Sequence, residues 1–128
     1  MDWEVALKLF VAPFWMLLFA HVVMDYSLQT DWIGKGKNWN FNKWLPEKQT
    51  YESGVPWYYI MAAHCIMHGG AVTILTGSVY MGLAETIIHF VADCLKCAKI
   101  TNIHEDQAIH ILCKVLWAGL LVATKFGV

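Results

Sequence analysis

Residues 53–84 read SGVPWYYIMAAHCIMHGGAVTILTGSVYMGLA, without a single Asp, Glu, Lys or Arg. A helix crosses the hydrocarbon core of a bilayer with roughly 20 predominantly apolar residues, so this stretch alone exceeds one span. From Pro56 the apolar character lasts to about Ile100, which at about 1.5 Å per residue suits two spans joined by a tight turn. Gly77, Ser78 and Gly82 mark that turn. Trp57, Tyr58 and Tyr59 anchor the start of the first of these helices at the headgroup level, and Lys96 and Lys99 anchor the end of the second.

Two further apolar stretches flank this pair. Leu9 to Met24 carries no formal charge, and Gln107 to Thr124 carries only Lys114. The whole chain of 128 residues is 58% hydrophobic with a mean hydropathy of +0.45, which leaves too little polar surface to cover a soluble domain of this length. The reading is a single all-α, polytopic membrane domain over 1–128, an antiparallel bundle of four transmembrane helices at approximately 3–29, 56–76, 79–100 and 106–125. Pro13 is tolerated as a kink in the first helix, and Asp106 is the expected N-cap of the last. Asp2 and Glu4 stand where a secretory signal needs positive charge, so the first helix is expected to be retained.

The connector over 30–55 holds Gly34, Gly36, Asn38, Asn40, Asn42, Pro46 and Gly54. Among its lysines Lys35, Lys37, Lys43 and Lys48 stand Trp32, Trp39 and Trp44, the mixture of a segment lying in the membrane interface. Lysines concentrate in this connector and in the short loop near Lys96 and Lys99, whereas Lys8 and Lys125 stand on the opposite side with Asp2 and Glu4. The positive-inside rule then gives a multi-pass membrane protein with the connector on the cytoplasmic side and both termini outside. The net charge of −1 and the absence of any Arg/Lys stripe argue against nucleic acid as a partner. Cys65, Cys94, Cys97 and Cys113 read as small buried hydrophobes, since Cys94-x-x-Cys97 has no partner motif.

The chemistry lies in four pairs spaced i, i+4, namely His21/Asp25, His64/His68, His89/Asp93 and Asp106/His110. That spacing stacks two side chains on one helical face. Antiparallel helices bring the end of the first, the start of the second, the end of the third and the start of the fourth to one leaflet, the cytoplasmic one, and these are the ends that carry the pairs. His68, His89 and Lys114 fall near mid-depth; Asp25, His64, Asp93 and Asp106 fall nearer the headgroups. A single such pair reads as interhelical glue worth about 0.6 kcal/mol. Four converging pairs read as a site, because ionisable groups inside a membrane are costly and mark function.

In order along the chain, His21-Val-Val-Met-Asp25-Tyr-Ser-Leu-Gln29-Thr-Asp-Trp with Lys35 beyond it, His64, His89-Phe-Val-Ala-Asp93-Cys-Leu-Lys96 and Asp106-Gln107-Ala-Ile-His110 resemble domain-of-unknown-function family 3307, small polytopic membrane proteins of phages and bacteria. The resemblance implies membrane location, a helical bundle and these polar positions. Some members are similar in their His/Asp spacing to membrane-embedded metal-dependent hydrolases. The long Trp-rich connector and Glu85, which continues the His89/Asp93 face, depart from the pattern.

The expected centre is a divalent metal ion, zinc or manganese, held by His21, Asp25, His64, His89 and Asp93. Asp106 and His110 complete the shell or act as acid and base. Lys96 and Lys114 neutralise charge developing on a phosphoryl oxygen. From the residues alone His64 and His68 are both weaker candidates, either able to bond a backbone carbonyl, and His64 stands among the ligands because the resemblance implies it; Lys114 alternatively pairs with Asp93 or Glu85. Gln29 and Gln107 orient ligands, and His104 lies in the exposed loop. The expected function is a metal-dependent hydrolase acting on a membrane lipid, a lipid-linked phosphate or ester near the headgroups. The alternative is a non-enzymatic phage-type protein, a homo-oligomeric pore, a proton path or an inhibitor of a host membrane complex, using the same network as a relay or a structural brace. Haem between two histidines such as His21 and His89 ranks below both, since carboxylates suit harder cations.

Overall fold

The computed structural model describes residues 3–45 and 51–126, and every regular element among them is helical. Helix α1 is Trp3–Val22, α2 Asp31–Gly36, α3 Trp57–Thr76, α4 Val79–Cys97 and α5 Ile103–Phe126; a π-helical turn, Val23–Ser27, follows α1, and a 3₁₀ turn, Phe41–Trp44, follows α2. Asp2, Pro46, Lys48 and the side chain of Trp44 lie outside the described residues.

Local chemistry sets the ends of these helices. Gly77 terminates α3 at φ +72°, a left-handed conformation that costs glycine nothing, and the Ser78 hydroxyl accepts from the Met81 amide at 3.3 Å to start α4. The α3–α4 hairpin therefore turns where Gly77 and Ser78 indicated. Helix α4 stops at Cys97, short of Ile100, because Lys99 turns left-handed (φ 58°) and the Ile100 amide returns to the Leu95 carbonyl at 3.0 Å. Asp106 does not cap α5. Asn102 does, its side-chain oxygen accepting from the amides of His104 (2.8 Å) and Glu105 (3.1 Å) while Glu105 accepts from the Asn102 amide at 2.8 Å. This reciprocal box starts the helix at Ile103, places His104 in its exposed first turn rather than in a loop, and leaves Asp106 to face inward.

The first helix also differs from a continuous rod to Gln29. After Val22 the ladder widens, with the Leu28 amide bonding to the Val23 carbonyl at 2.8 Å, and this π turn carries the buried Asp25. Such one-turn widenings recur at functional positions in helices.

Helices α1, α3, α4 and α5 form a ring in which α1 packs on α3 and α5, and α4 packs on the same two from the other side. The closest approach is between α3 and α4. A Cβ on Gly69 would lie 2.4 Å from the Gly82 carbonyl and 1.9 Å from the Thr86 hydroxyl; one on Gly82 would lie 2.5 Å from the Gly69 carbonyl and 1.8 Å from the Thr73 hydroxyl. Both threonines bond back to the glycine four residues earlier, Thr73 to Gly69 at 3.0 Å and Thr86 to Gly82 at 2.9 Å. Small residues let backbones touch, which is how helices associate where no hydrophobic force drives them together.

The molecule is layered inside. Leu17, Val72, Cys113 and Trp117 form one apolar cluster, and Met61, Cys65 and Cys97, with Trp39 and Trp57 against them, form the other. On α3 and α4 the buried His68, His89 and Asp93 fall between residues of the two clusters, His68 between Cys65 and Val72, and His89 and Asp93 between Ile88 and Cys97. All four cysteines are free, and Cys65, Cys97 and Cys113 are packed as hydrophobes. The outside, by contrast, is apolar: Trp15, Phe19, Ile66, Ile74, Leu112 and Leu116 are all exposed. Three helical stretches are long and apolar enough to cross a membrane, Trp3–Ser27, Trp57–Thr76 and Ile103–Lys125. Helix α4 does not meet that measure, because Glu85, Asp93 and Lys96 lie within its 19 residues. Those groups face the bundle interior, and its outward stripe is Tyr80, Leu83, Ile87 and Val91.

Candidate metal centre

Asp25 is presented by the π turn, His64 and His68 by successive turns of α3, and His89 by the face of α4 that meets them. Their ligand atoms lie within 4.8 Å of one another, and all four residues are buried. Asp25 Oδ1 is 3.0 Å from His68 Nε2, 3.3 Å from His64 Nε2 and 3.7 Å from His89 Nε2, and the His64 and His89 Nε2 atoms are 3.1 Å apart. Four ligands at bond lengths of about 2.0–2.1 Å around a tetrahedral ion stand about 3.3 Å from each other. The observed separations bracket that value. Asp25 Oδ1 and His68 Nε2 are shielded from solvent and, although 3.0 Å apart, do not meet in hydrogen-bond geometry, which leaves room for a further partner to both. The set can therefore hold a metal ion.

A second layer surrounds these four. Gln107 donates to Asp25 Oδ2 at 3.1 Å and to Asp106 Oδ2 at 3.3 Å, while its oxygen accepts from His21 Nε2 at 3.0 Å. That bond makes Nε2 the proton-bearing nitrogen of His21, so this ring supports Asp25, 3.6 Å away, rather than offering a lone pair beside it. Gln29 donates to the Asp25 carbonyl at 3.2 Å. Asp93 Oδ2 lies 3.5 Å from His64 and 3.8 Å from His89 and is bonded by the Lys37 ammonium. Lys96 joins Asp93 Oδ1 at 2.9 Å to Asp106 Oδ2 at 2.7 Å, and His110 Nε2 is 3.4 Å from Asp106 Oδ1. The His68 and His110 rings stack on opposite sides of His89, with centroids 3.7 and 4.1 Å away.

On the far side of His89 the ammonium of Lys114 is bonded to Glu85, which also accepts from Trp117 Nε1 at 2.6 Å and lies 3.7 Å from His89 Nδ1. Of the two partners open to Lys114 in the sequence, Glu85 is the one it takes. Its position ties it to the carboxylate behind His89.

The structure thus gathers His21, Asp25, His64, His89, Asp93, Asp106, His110, Lys96 and Lys114 into one network. It promotes His68 from a structural reading to the innermost group. Lys37 and Asn40 were missed. Lys37 is only 3% exposed, and Asn40 Nδ2 donates to the Cys97 carbonyl at 3.0 Å. Both come from the connector, where no apolar periodicity points a residue inward; the one signal was Gly36, at which a Cβ would lie 2.6 Å from Ile60 Cδ1. Lys96 does not merely snorkel to the interface, since it bridges two buried carboxylates.

No family model, curated protein or solved structure matches the chain.

Proposed function

We propose that the chain is a four-span membrane protein and a metal-dependent hydrolase acting on a lipid-linked phosphate or ester at headgroup depth. The observation that carries this reading is the convergence of Asp25, His64, His68 and His89, with ligand atoms within 4.8 Å of one another, in a buried layer. Three nitrogens and one oxygen suit zinc or manganese. The likeness to family 3307 belongs to the same proposal. So do a site on the cytoplasmic side and termini outside, which the lysine distribution supports, and a bacterial inner membrane, which the likeness to that family implies. The fourth span is α4, supported by its apolar outward stripe.

A bound divalent ion supplies Lewis-acid polarisation and an activated water. The protein's own groups do the rest. Lys96, a quarter exposed, is the ammonium placed to meet substrate oxygen arriving from the headgroups. The Asp106–His110 pair, when no ion is bound to it, is placed to exchange a proton. Gln107 holds Asp25 and His21 in register, and Glu85 with Lys114 braces His89 from behind. Metal analysis of the purified chain, together with release of phosphate from a lipid phosphate monoester in mixed micelles, tests the reading. The expected result is stoichiometric ion and hydrolysis that chelator stops; absence of both overturns it.

One observation favours a second reading. His89, Asp93, Asp106 and His110 have no exposed surface, and Lys37, Asp93, His89, Glu85 and Trp117 follow one another through the interior, with the two steps through the His89 ring at 3.8 and 3.7 Å. Such a chain suits a proton relay or a brace within an oligomeric pore or a host membrane complex. Proton flux in liposomes that His89→Ala abolishes, in protein free of metal, selects this alternative.

A further inference from the structure

Beside the four innermost groups lies a second set, Asp93, Asp106 and His110, whose ligand atoms are also within 4.8 Å of one another. All three residues are fully buried. Asp106 Oδ1 and both ring nitrogens of His110 make no hydrogen bond, and the Oδ1–Nε2 separation of 3.4 Å is again that of two ligands on one ion. The network around Asp25 satisfies none of these atoms. Asp93 contacts His64 and His89 of the first set through Oδ2, so the two sets are adjacent.

Charge opposes filling both sets freely. Around the centre stand four carboxylates, Asp25, Glu85, Asp93 and Asp106, and three ammoniums, Lys37, Lys96 and Lys114. With neutral imidazoles this leaves one negative charge, which a single divalent ion reverses to one positive. A further ion overshoots, and uncompensated charge is costly in a closed interior. The Lys96 ammonium already bridges Asp93 and Asp106, the two carboxylates of the second set.

We propose that Asp93, Asp106 and His110 form a second divalent-cation site next to the first, and that the Lys96 ammonium competes with the ion for it. The inference rests on the metal reading of the first set. Binding there is weaker than at Asp25, and loss of the ammonium strengthens it.

Titration of the purified full-length chain with Mn²⁺ alone, followed by equilibrium dialysis and electron paramagnetic resonance, separates the possibilities. The wild type takes up one tight and one weak equivalent, the second weaker by roughly tenfold or more. At saturation the spectrum is that of a spin-coupled pair, as expected for ions about 3.5–4 Å apart. Lys96→Met tightens the second equivalent, Lys96→Arg leaves it weak, and His110→Asn removes it while the first remains. A wild type that stops at one equivalent, a second equivalent with an isolated-ion spectrum, or retention of the coupled pair in His110→Asn overturns the second site. No uptake at all removes the first centre as well, so the two failures are told apart by stoichiometry; the wild-type measurement stands even if a variant does not fold.

Discussion

Asp25 lies within 3.0–3.7 Å of four imidazoles and is bonded to Gln107. Replacing it with Asn keeps the shape and removes the charge. Asp25→Asn is expected to weaken the tight metal by more than about 100-fold, and Gln107→Ala by the roughly 10–100-fold typical of groups that only orient a ligand; competition against a chelator of known affinity checks both. The Glu85–Lys114 pair makes a different kind of prediction. Lys114→Met strands a buried carboxylate, a loss of about 3–5 kcal/mol, whereas the double variant Glu85→Gln/Lys114→Met regains much of it because neither charge then needs a partner. Thermal unfolding in detergent measures the difference, and equal destabilisation of single and double variants would contradict the pairing.

At the scale of elements, the contact of α3 with α4 fixes where His68 and His89 stand. Gly69→Ala and Gly82→Ala drive a methyl into a backbone carbonyl of the partner helix and are expected to cost about 1–3 kcal/mol. Gly70→Ala is the control. A Cβ there meets nothing within 4 Å, so that change should be neutral or stabilising by up to about 1 kcal/mol through helix propensity. The connector is tied down by Lys37 to Asp93 and Asn40 to the Cys97 carbonyl, with α2 itself capped by Thr30, whose hydroxyl accepts from Ile33 at 3.3 Å. Lys37→Met/Asn40→Ala should therefore raise amide exchange across 31–45 while leaving α5 protected, as read by exchange mass spectrometry.

For the whole molecule, an apolar exterior surrounds a charged interior, and in the proposed four-span arrangement the outer stripe of every ring helix, α4 included, faces lipid. In a chain freed of its native cysteines, Ser53→Cys and Asn102→Cys should react with an impermeant maleimide from the same side of the membrane, and Ser78→Cys from the opposite side. Labelling of Ser78 and Asn102 from one side would rule out α4 as a span and with it the four-span arrangement.

The helices, the Gly77–Ser78 turn and the i, i+4 pairs were legible in the sequence because periodicity, turn chemistry and charge-free length are local properties. The end of α5 nearest Asp106 was misread because Asn102 and Glu105 form a better box than Asp106 alone, and the π turn after Val22 leaves no compositional trace. The sequence by itself indicated that His21, Asp25, His64, His89, Asp93, Asp106 and His110 lie toward one end of a helical bundle, in two tiers, since spacing and rise per residue set their order along each helix. Only the tertiary structure decided which of them meet. That depends on the rotation of each helix about its axis, set by the Gly69–Gly82 contact and by the widening at Asp25, and on a connector that carries Lys37 to Asp93 across 56 residues of chain.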